Sequence, residues 1–427
     1  MDLLKKDTRN TDFDITGLLY VFHLIVISIY YSQSSVFLNI DPHIVFYYLF
    51  GASIIFIIIV FFINRGVFFV CSYFLLGTIF YSFIFSAQFG VPFTGGLVAS
   101  YPGIYLTAAF AILAHSRDWK YALRLIFIAS ILYEMLFLGI TFTLDNASFA
   151  MLHSLGLEKP NSVIVRHGMF DKDVGDLAFR IKISPMNLAF SLFYSLFLVF
   201  QKRSIVRLSL LAFSVFCIYI SDFRFLAVTS LVSTIVPFLP IKRRTLAKLV
   251  ICLNCFVMAV FLVAALTDVN LFQVLSFDET GSIRAMAADI AIDWFQRFPI
   301  FGVGLRNDGD DYKNLFSSMI FSPTDIGYFG SLLQYGLFGY LFIFLSNCII
   351  YRFVKEKCRS EKEGYDTLML QIFSFIVLYQ LISPFIWEDS GSIILGLAVG
   401  YAVPNGLKPR GRDIPGRKFL SPAGREC

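Results

Sequence analysis

The sequence predicts an all-α polytopic membrane protein of about twelve transmembrane helices. Three observations predict it. Of the 427 residues, 57% are hydrophobic, 50 are Phe and only 15% are charged. The charges fall between apolar runs of about 17 to 25 residues, the length that crosses a bilayer core. The basic residues recur in alternate connections between those runs, the pattern that fixes orientation in a membrane.

The runs place spans near 15–32, 43–63, 66–86, 96–114, 121–143, 184–200, 204–220, 224–240, 246–266, 326–351, 368–386 and 390–405. All are expected to be helices, because an open sheet edge would leave backbone polar groups without partners in lipid. Span one follows a charged segment and is too long for a cleaved leader, so it is expected to stay as an anchor. Residues 1–405 then form a single membrane domain, and 406–427 form a basic Gly/Pro/Arg-rich tail expected to be disordered.

Lys5, Lys6 and Arg9, then Arg65, then Arg117, Lys120 and Arg124, then Lys202, Arg203 and Arg207, then Lys242, Arg243, Arg244 and Lys248 mark the cytoplasmic face. The series continues from Arg352 to Lys362 and through the tail, so both termini are expected in the cytoplasm. With a net charge of only +5, these clusters are read as topology signals and contacts to anionic lipid, with no nucleic-acid partner. Cys252 and Cys255 lie inside span nine, where neither redox chemistry nor a tetrahedral metal site is expected.

Two outer loops are long, 144–183 and 267–325, and loops of this size in a compact protein are functional or disordered. The second carries helical apolar spacing at Ile283, Ala287, Ile290, Ala291, Trp294, Phe295 and Phe298, after a Ser282 cap and before Pro299. It is expected to be an amphipathic helix on the outer interface. Arg166, Arg180, Arg224, Arg284, Arg297 and Arg306 all map to this side, where Lys and Arg are normally avoided. A guanidinium there suits a lipid-linked phosphate, since its planar fork donates two parallel hydrogen bonds and keeps its charge. The bland alternative is snorkelling to headgroups, or pairing with an acid, as Arg224 could with Asp222.

Several motifs in order resemble one family. Arg284 and Trp294, then Phe298-Pro299-Ile300-Phe301-Gly302-Val303-Gly304, then Asp325-Ile326-Gly327-Tyr328 and Tyr335-Gly336-Leu337-Phe338-Gly339 look like the last large periplasmic loop of bacterial O-antigen polymerases and ligases. Ser221-Asp222-Phe223-Arg224 resembles the Ser-x-x-Arg span entrance of that superfamily, and Arg180 with Pro185 and Asn187 resembles its Arg-x-x-x-x-Pro-x-Asn helix start. The resemblance implies a GT-C-like, metal-independent glycosyltransferase with no cofactor. Its substrate would be an undecaprenyl-pyrophosphate-linked oligosaccharide at the outer face of the bacterial inner membrane. A chain-length regulator and a flippase would be its partners, beside membrane lipid. Residues 267–339 contain no His, the presumed base of the ligase branch, and Asp325 stands in the corresponding position. That favours a polymerase over a ligase.

A polyprenyl pyrophosphate is already a good leaving group, so the chemistry needs charge stabilisation on the departing phosphate and a base for the acceptor hydroxyl. Arg284, Arg180 and Arg224, with Arg166 and Arg306, are the candidates for the first task, and Asp325 for the second. Asp325 could equally be the helix N-cap of span ten. Attack opposite the leaving group implies inversion at the anomeric carbon. Trp294, Tyr312 and Tyr328 are candidate sugar-stacking residues. Asp308-Gly309-Asp310-Asp311 is read as a solvated turn and no metal is expected, while His153 and His167 are weaker base candidates. Glu134, deep in span five, is the intramembrane carboxylate, open to substrate contact or to hydrogen bonding between helices. A flippase or transporter would share this topology but would place more charge at the bilayer midplane.

Overall fold

A computed structural model describes residues 65–90, 107–114, 119–143, 185–220, 224–275, 279–304, 326–360, 364–381 and 389–402, with scattered positions between 20 and 62. Among the described residues the protein is helical throughout. The elements are α1 (Arg65–Phe89), α2 (Trp119–Thr143), α3 (Pro185–Gln201), α4 (Ile205–Ile220), α5 (Arg224–Ile235), α6 (Arg243–Leu266), α7 (Glu279–Arg297), α8 (Gly327–Ser360), α9 (Tyr365–Tyr379) and α10 (Asp389–Ala402).

By length and apolar composition, α1, α6 and α8 each contain a segment able to cross a bilayer, and α3, α4, α5 and α9 are shorter apolar helices. Large apolar side chains are exposed along the rim, among them Phe69, Ile205, Tyr219 and Phe256. Such a surface is stable only against lipid. The centre belongs to α9, whose residues are buried on nearly every side and which packs against α3, α5, α6 and α8. A helix apolar all round is a core helix.

Two small-residue contacts close the bundle. Gly396 and Gly400, one turn apart on α10, lie against the backbone of Thr107 and Ala111. A Cβ at either glycine would fall within 2.5 Å of a carbonyl oxygen there. This is the small-x-x-x-small packing that lets helix backbones approach in a membrane. At the basic end, Lys357 is 3% exposed, with its ammonium 3.8 Å from the ring centre of Tyr401 and 4.3 Å from that of Trp119. The cation–π contacts tie α8 to α10 and α2.

α6 starts at Arg243 among basic residues and ends at Leu266 beside α7, about 36 Å away at 1.5 Å per residue. The two ends of the bundle therefore differ in chemistry. α7 packs on α8, on α6 and on the short 3-10 turn Leu271–Leu275. Asn270 fixes the junction: its Nδ2 donates to the Ala285 carbonyl at 2.6 Å and to Asp289 Oδ1 at 2.7 Å, while its Oδ1 accepts from the Phe272 N–H.

Candidate functional site

α7 is the element in the second long loop, and it differs from the sequence expectation in two ways. It begins at Glu279, so Ser282 lies inside the helix and is not its cap. Its inward stripe is also turned by roughly a quarter of the circumference. Ile283, expected on the apolar face, is 41% exposed, whereas Ala285, Ala287, Ala288, Ala291, Ile292 and Phe295 are buried. Small alanines let α7 approach the bundle closely, and that contact outweighs the larger residues of the expected face.

The rotation changes the meaning of Arg284. At 100° per residue, positions 284, 287, 288, 291 and 295 share one face, so Arg284 stands at the head of the inward alanine stripe. It is half-buried, and no hydrogen bond or ion pair engages its guanidinium among the described residues. Arg297, in contrast, is tied down. It pairs with Asp293 at 2.7 Å and lies 5.4 Å over the Trp294 ring. Trp294 is itself stacked on Phe298 at 5.8 Å and touches Phe89, so its ring is engaged within the protein.

Beyond α7 the chain enters Pro299-Ile300-Phe301-Gly302-Val303-Gly304 and docks on a break in α8. Gly336 has φ 59° and ψ −162°, which interrupts the helix nine residues after its start. The carbonyls of Leu333 and Gln334 accept from the N–H groups of Val303 and Gly304 at 2.8 and 2.9 Å, and those of Pro299 and Ile300 accept from Leu337 and Phe338 at 2.8 and 3.0 Å. In an unbroken helix, carbonyls 333 and 334 would take the N–H groups of 337 and 338. The loop thus repairs both sides of the break. The Tyr335 carbonyl, next in line, accepts from the Tyr81 hydroxyl of α1 at 3.1 Å. Backbone left unpaired at this depth would be costly, and the clasp leaves these groups satisfied.

The glycines of both motifs are explained by this clasp. A Cβ on Gly302 would lie 2.5 Å from the Leu333 oxygen, and one on Gly304 would lie 2.5 Å from the Tyr81 oxygen. Gly336 and Gly339 are part of a motif that resembles the long outer loop, although they fall inside the run expected at 326–351. They form the middle of α8, where Gly336 turns the chain and Gly339 admits the Tyr335 ring.

The bend brings together residues far apart on α8. Tyr328 and Asn347 would be about 28 Å apart along a straight helix, yet both bond Gln380 Oε1, each at 2.9 Å. Asn254 of α6 donates to the Tyr328 hydroxyl at 2.7 Å, Asn347 donates to Asn254 Oδ1 at 3.1 Å, and Gln380 Nε2 donates to Asn347 Oδ1 at 3.1 Å. All four side chains are buried. Tyr328, expected to stack on sugar, is 1% exposed and belongs to this cluster, because the bend carries its ring into the bundle. Three amides inside otherwise apolar runs were the available signal for the cluster.

Glu134 lies in a second buried polar group. Ser191 Oγ donates to its Oε1 at 2.5 Å, the Cys217 thiol lies beside the carboxyl, and Ser130 Oγ donates to Asn187 Oδ1 at 3.5 Å nearby. The contacts join α2, α3 and α4, which supports the interhelical reading of this carboxyl. Pro185 and Asn187 of the Pro-x-Asn motif stand in the first turn of α3, where Pro is favoured. Arg224 begins α5, as expected of a span entrance. Arg166, Arg180, Arg306, Tyr312, Asp325, His153, His167 and residues 308–311 lie outside the described residues.

Fold and site together define a helical membrane protein that docks a loop helix on its bundle and turns a half-buried arginine inward at one end. Residues 186–344, from the start of α3 to the middle of α8, match the family described as O-antigen ligase, Wzy_C, of the O-antigen polymerase/ligase superfamily. Members of that superfamily are glycosyltransferase-like enzymes of polysaccharide or lipopolysaccharide synthesis. No curated protein matches the chain.

Proposed function

We propose that the protein is a polysaccharide polymerase of this superfamily, transferring a growing glycan from undecaprenyl pyrophosphate to a lipid-linked repeat unit at the membrane face that carries α7. The observation that carries the reading is Arg284, inward on the alanine stripe and free of protein partners among the described residues. A half-buried guanidinium without a counter-charge is costly unless an anion arrives, and a lipid-linked pyrophosphate is that anion.

In the step we assign, the acceptor hydroxyl oxygen attacks the anomeric carbon while the bond from that carbon to the pyrophosphate oxygen breaks. The hydroxyl proton passes to the Asp325 carboxylate. The electron pair of the broken bond leaves with the pyrophosphate, held by Arg284 with Arg180 and Arg224. Fixed guanidinium groups supply the charge stabilisation and attack from the opposite side inverts the anomeric centre. Asp325 directly precedes Ile326 and Gly327, which are pinned: Ile326 is buried, and a Cβ on Gly327 would fall within 2.5 Å of the Leu381 carbonyl.

The family description favours a second reading, a ligase that moves finished polymer to a lipid core. The absence of His from 267–339 weighs toward the polymerase. Gel analysis of surface polysaccharide from cells lacking the protein separates them. Loss of the ladder with one repeat unit still on the core supports a polymerase. Polymer stranded on its carrier indicates the ligase, and repeat units trapped on the cytoplasmic side would make the protein a flippase. Complementation with Asp325→Asn should leave the ladder absent, since Asn keeps the capping oxygen but takes up no proton. An active Asn variant would leave Asp325 as a helix cap.

A further inference from the structure

A cavity of about 310 Å³ opens at the basic end of the bundle, far from α7, lined by Phe197, Phe200 and Gln201 of α3, Phe238, Arg243 of α6, and Gly364, Thr367 and Gln371 at the start of α9. We propose that it binds the phosphate headgroup of an anionic glycerophospholipid from the adjoining leaflet.

The donors in this cavity outnumber their partners. Gln371 is 1% exposed, and among the described residues its Nε2 amide has no hydrogen-bond acceptor. A buried N–H of this kind calls for an acceptor, and an anionic ligand in the cavity supplies one. Thr367 stands one turn before it on the same face of α9. Arg243 is held in place by an ion pair with Asp366, which uses one of its five N–H donors and leaves others to reach a ligand. The helix starts of α6, at Arg243, and of α9, at Tyr365, meet here, and both dipoles favour negative charge.

The walls select a lipid. Phe197 forms a buried side of the cavity, while the Phe200 and Phe238 rings, 5.5 Å apart, are exposed toward the bilayer and offer an apolar exit for acyl chains. Gly364, at the mouth, has φ +82°, a left-handed turn that glycine adopts without strain. Lys202 and Arg203 follow the lining residue Gln201 in the chain, Lys242 and Arg244 flank Arg243, and their charges add attraction for an anionic leaflet. A soluble anion would use the donors but have no use for the aromatic exit.

Native mass spectrometry of the purified full-length protein tests the proposal, with phosphatidylglycerol, phosphatidylcholine and inorganic phosphate as probes. The expected result is retention of phosphatidylglycerol by the wild-type chain, about tenfold weaker retention by Gln371→Leu, and little retention of phosphatidylcholine by either. Thr367→Val provides a second variant, expected to weaken retention in the same direction, should Gln371→Leu misfold. Equal retention of phosphatidylglycerol by wild type and both folded variants would overturn the site. Equal retention of the two lipids, or displacement of phosphatidylglycerol by millimolar phosphate, would overturn the choice of an anionic lipid. None of these readouts depends on the activity proposed for the α7 end.

Discussion

Gly302 and Gly336 lie backbone against backbone, so that a Cβ on Gly336 would sit 2.5 Å from the Gly302 nitrogen. Two glycines 34 positions apart in the chain thus form one joint, the point where the long loop closes on the broken helix.

Gly336→Ala should be severe. It adds a Cβ into backbone atoms that cannot yield, at a φ of 59° that L-residues rarely adopt. A loss of more than about 3 kcal/mol is expected, seen as loss of monodisperse protein in detergent. Gly51 is the control, because among the described residues nothing lies within 4 Å of a Cβ built there.

In the amide cluster, Tyr328→Phe removes one hydroxyl but leaves Gln380 Oε1 with the Asn347 donor. A small loss of about 0.5–1.5 kcal/mol is expected. Gln380→Leu strips the partner from the Asn347 Oδ1 and should cost more, about 1–3 kcal/mol. Thermal unfolding in detergent would rank them, and the reverse ranking would contradict Gln380 as the hub.

Lys357→Met keeps an apolar stem between Trp119 and Tyr401 and removes the ammonium. The expected cost is about 1–2 kcal/mol, the value of a desolvated cation–π contact. Because the group is buried, added salt should barely change the difference between wild type and variant in thermal unfolding.

Much of the helical layout is legible in the sequence because lipid leaves few choices: the run expected at 121–143 is α2, and that at 204–220 is α4. The clasp is legible only as a set of glycines. Nothing local distinguishes a glycine that packs inside a span from one that breaks it, because the partner of Gly336 is supplied by residues 300–302. The α7 face is misread for a related reason. Ile283 and Trp294 dominate an estimate by hydrophobicity, but close packing against α8 selects the alanines. That same shift moves Arg284 from the edge of the buried face to its centre. The amide cluster is hidden because Asn254, Asn347 and Gln380 sit singly in apolar runs and meet only after α8 bends.

Pyrophosphate gripping by Arg284 is tested by the turnover of a lipid-linked repeat unit by purified Arg284→Lys protein in lipid nanodiscs. Lysine keeps the charge but loses the two-pronged donor geometry. A fall in turnover of about 30-fold is expected, equivalent to about 2 kcal/mol of transition-state stabilisation. The unfolding midpoint should be unchanged, because the guanidinium has no partner to lose among the described residues. Near-normal turnover by the lysine variant would contradict pyrophosphate gripping by Arg284.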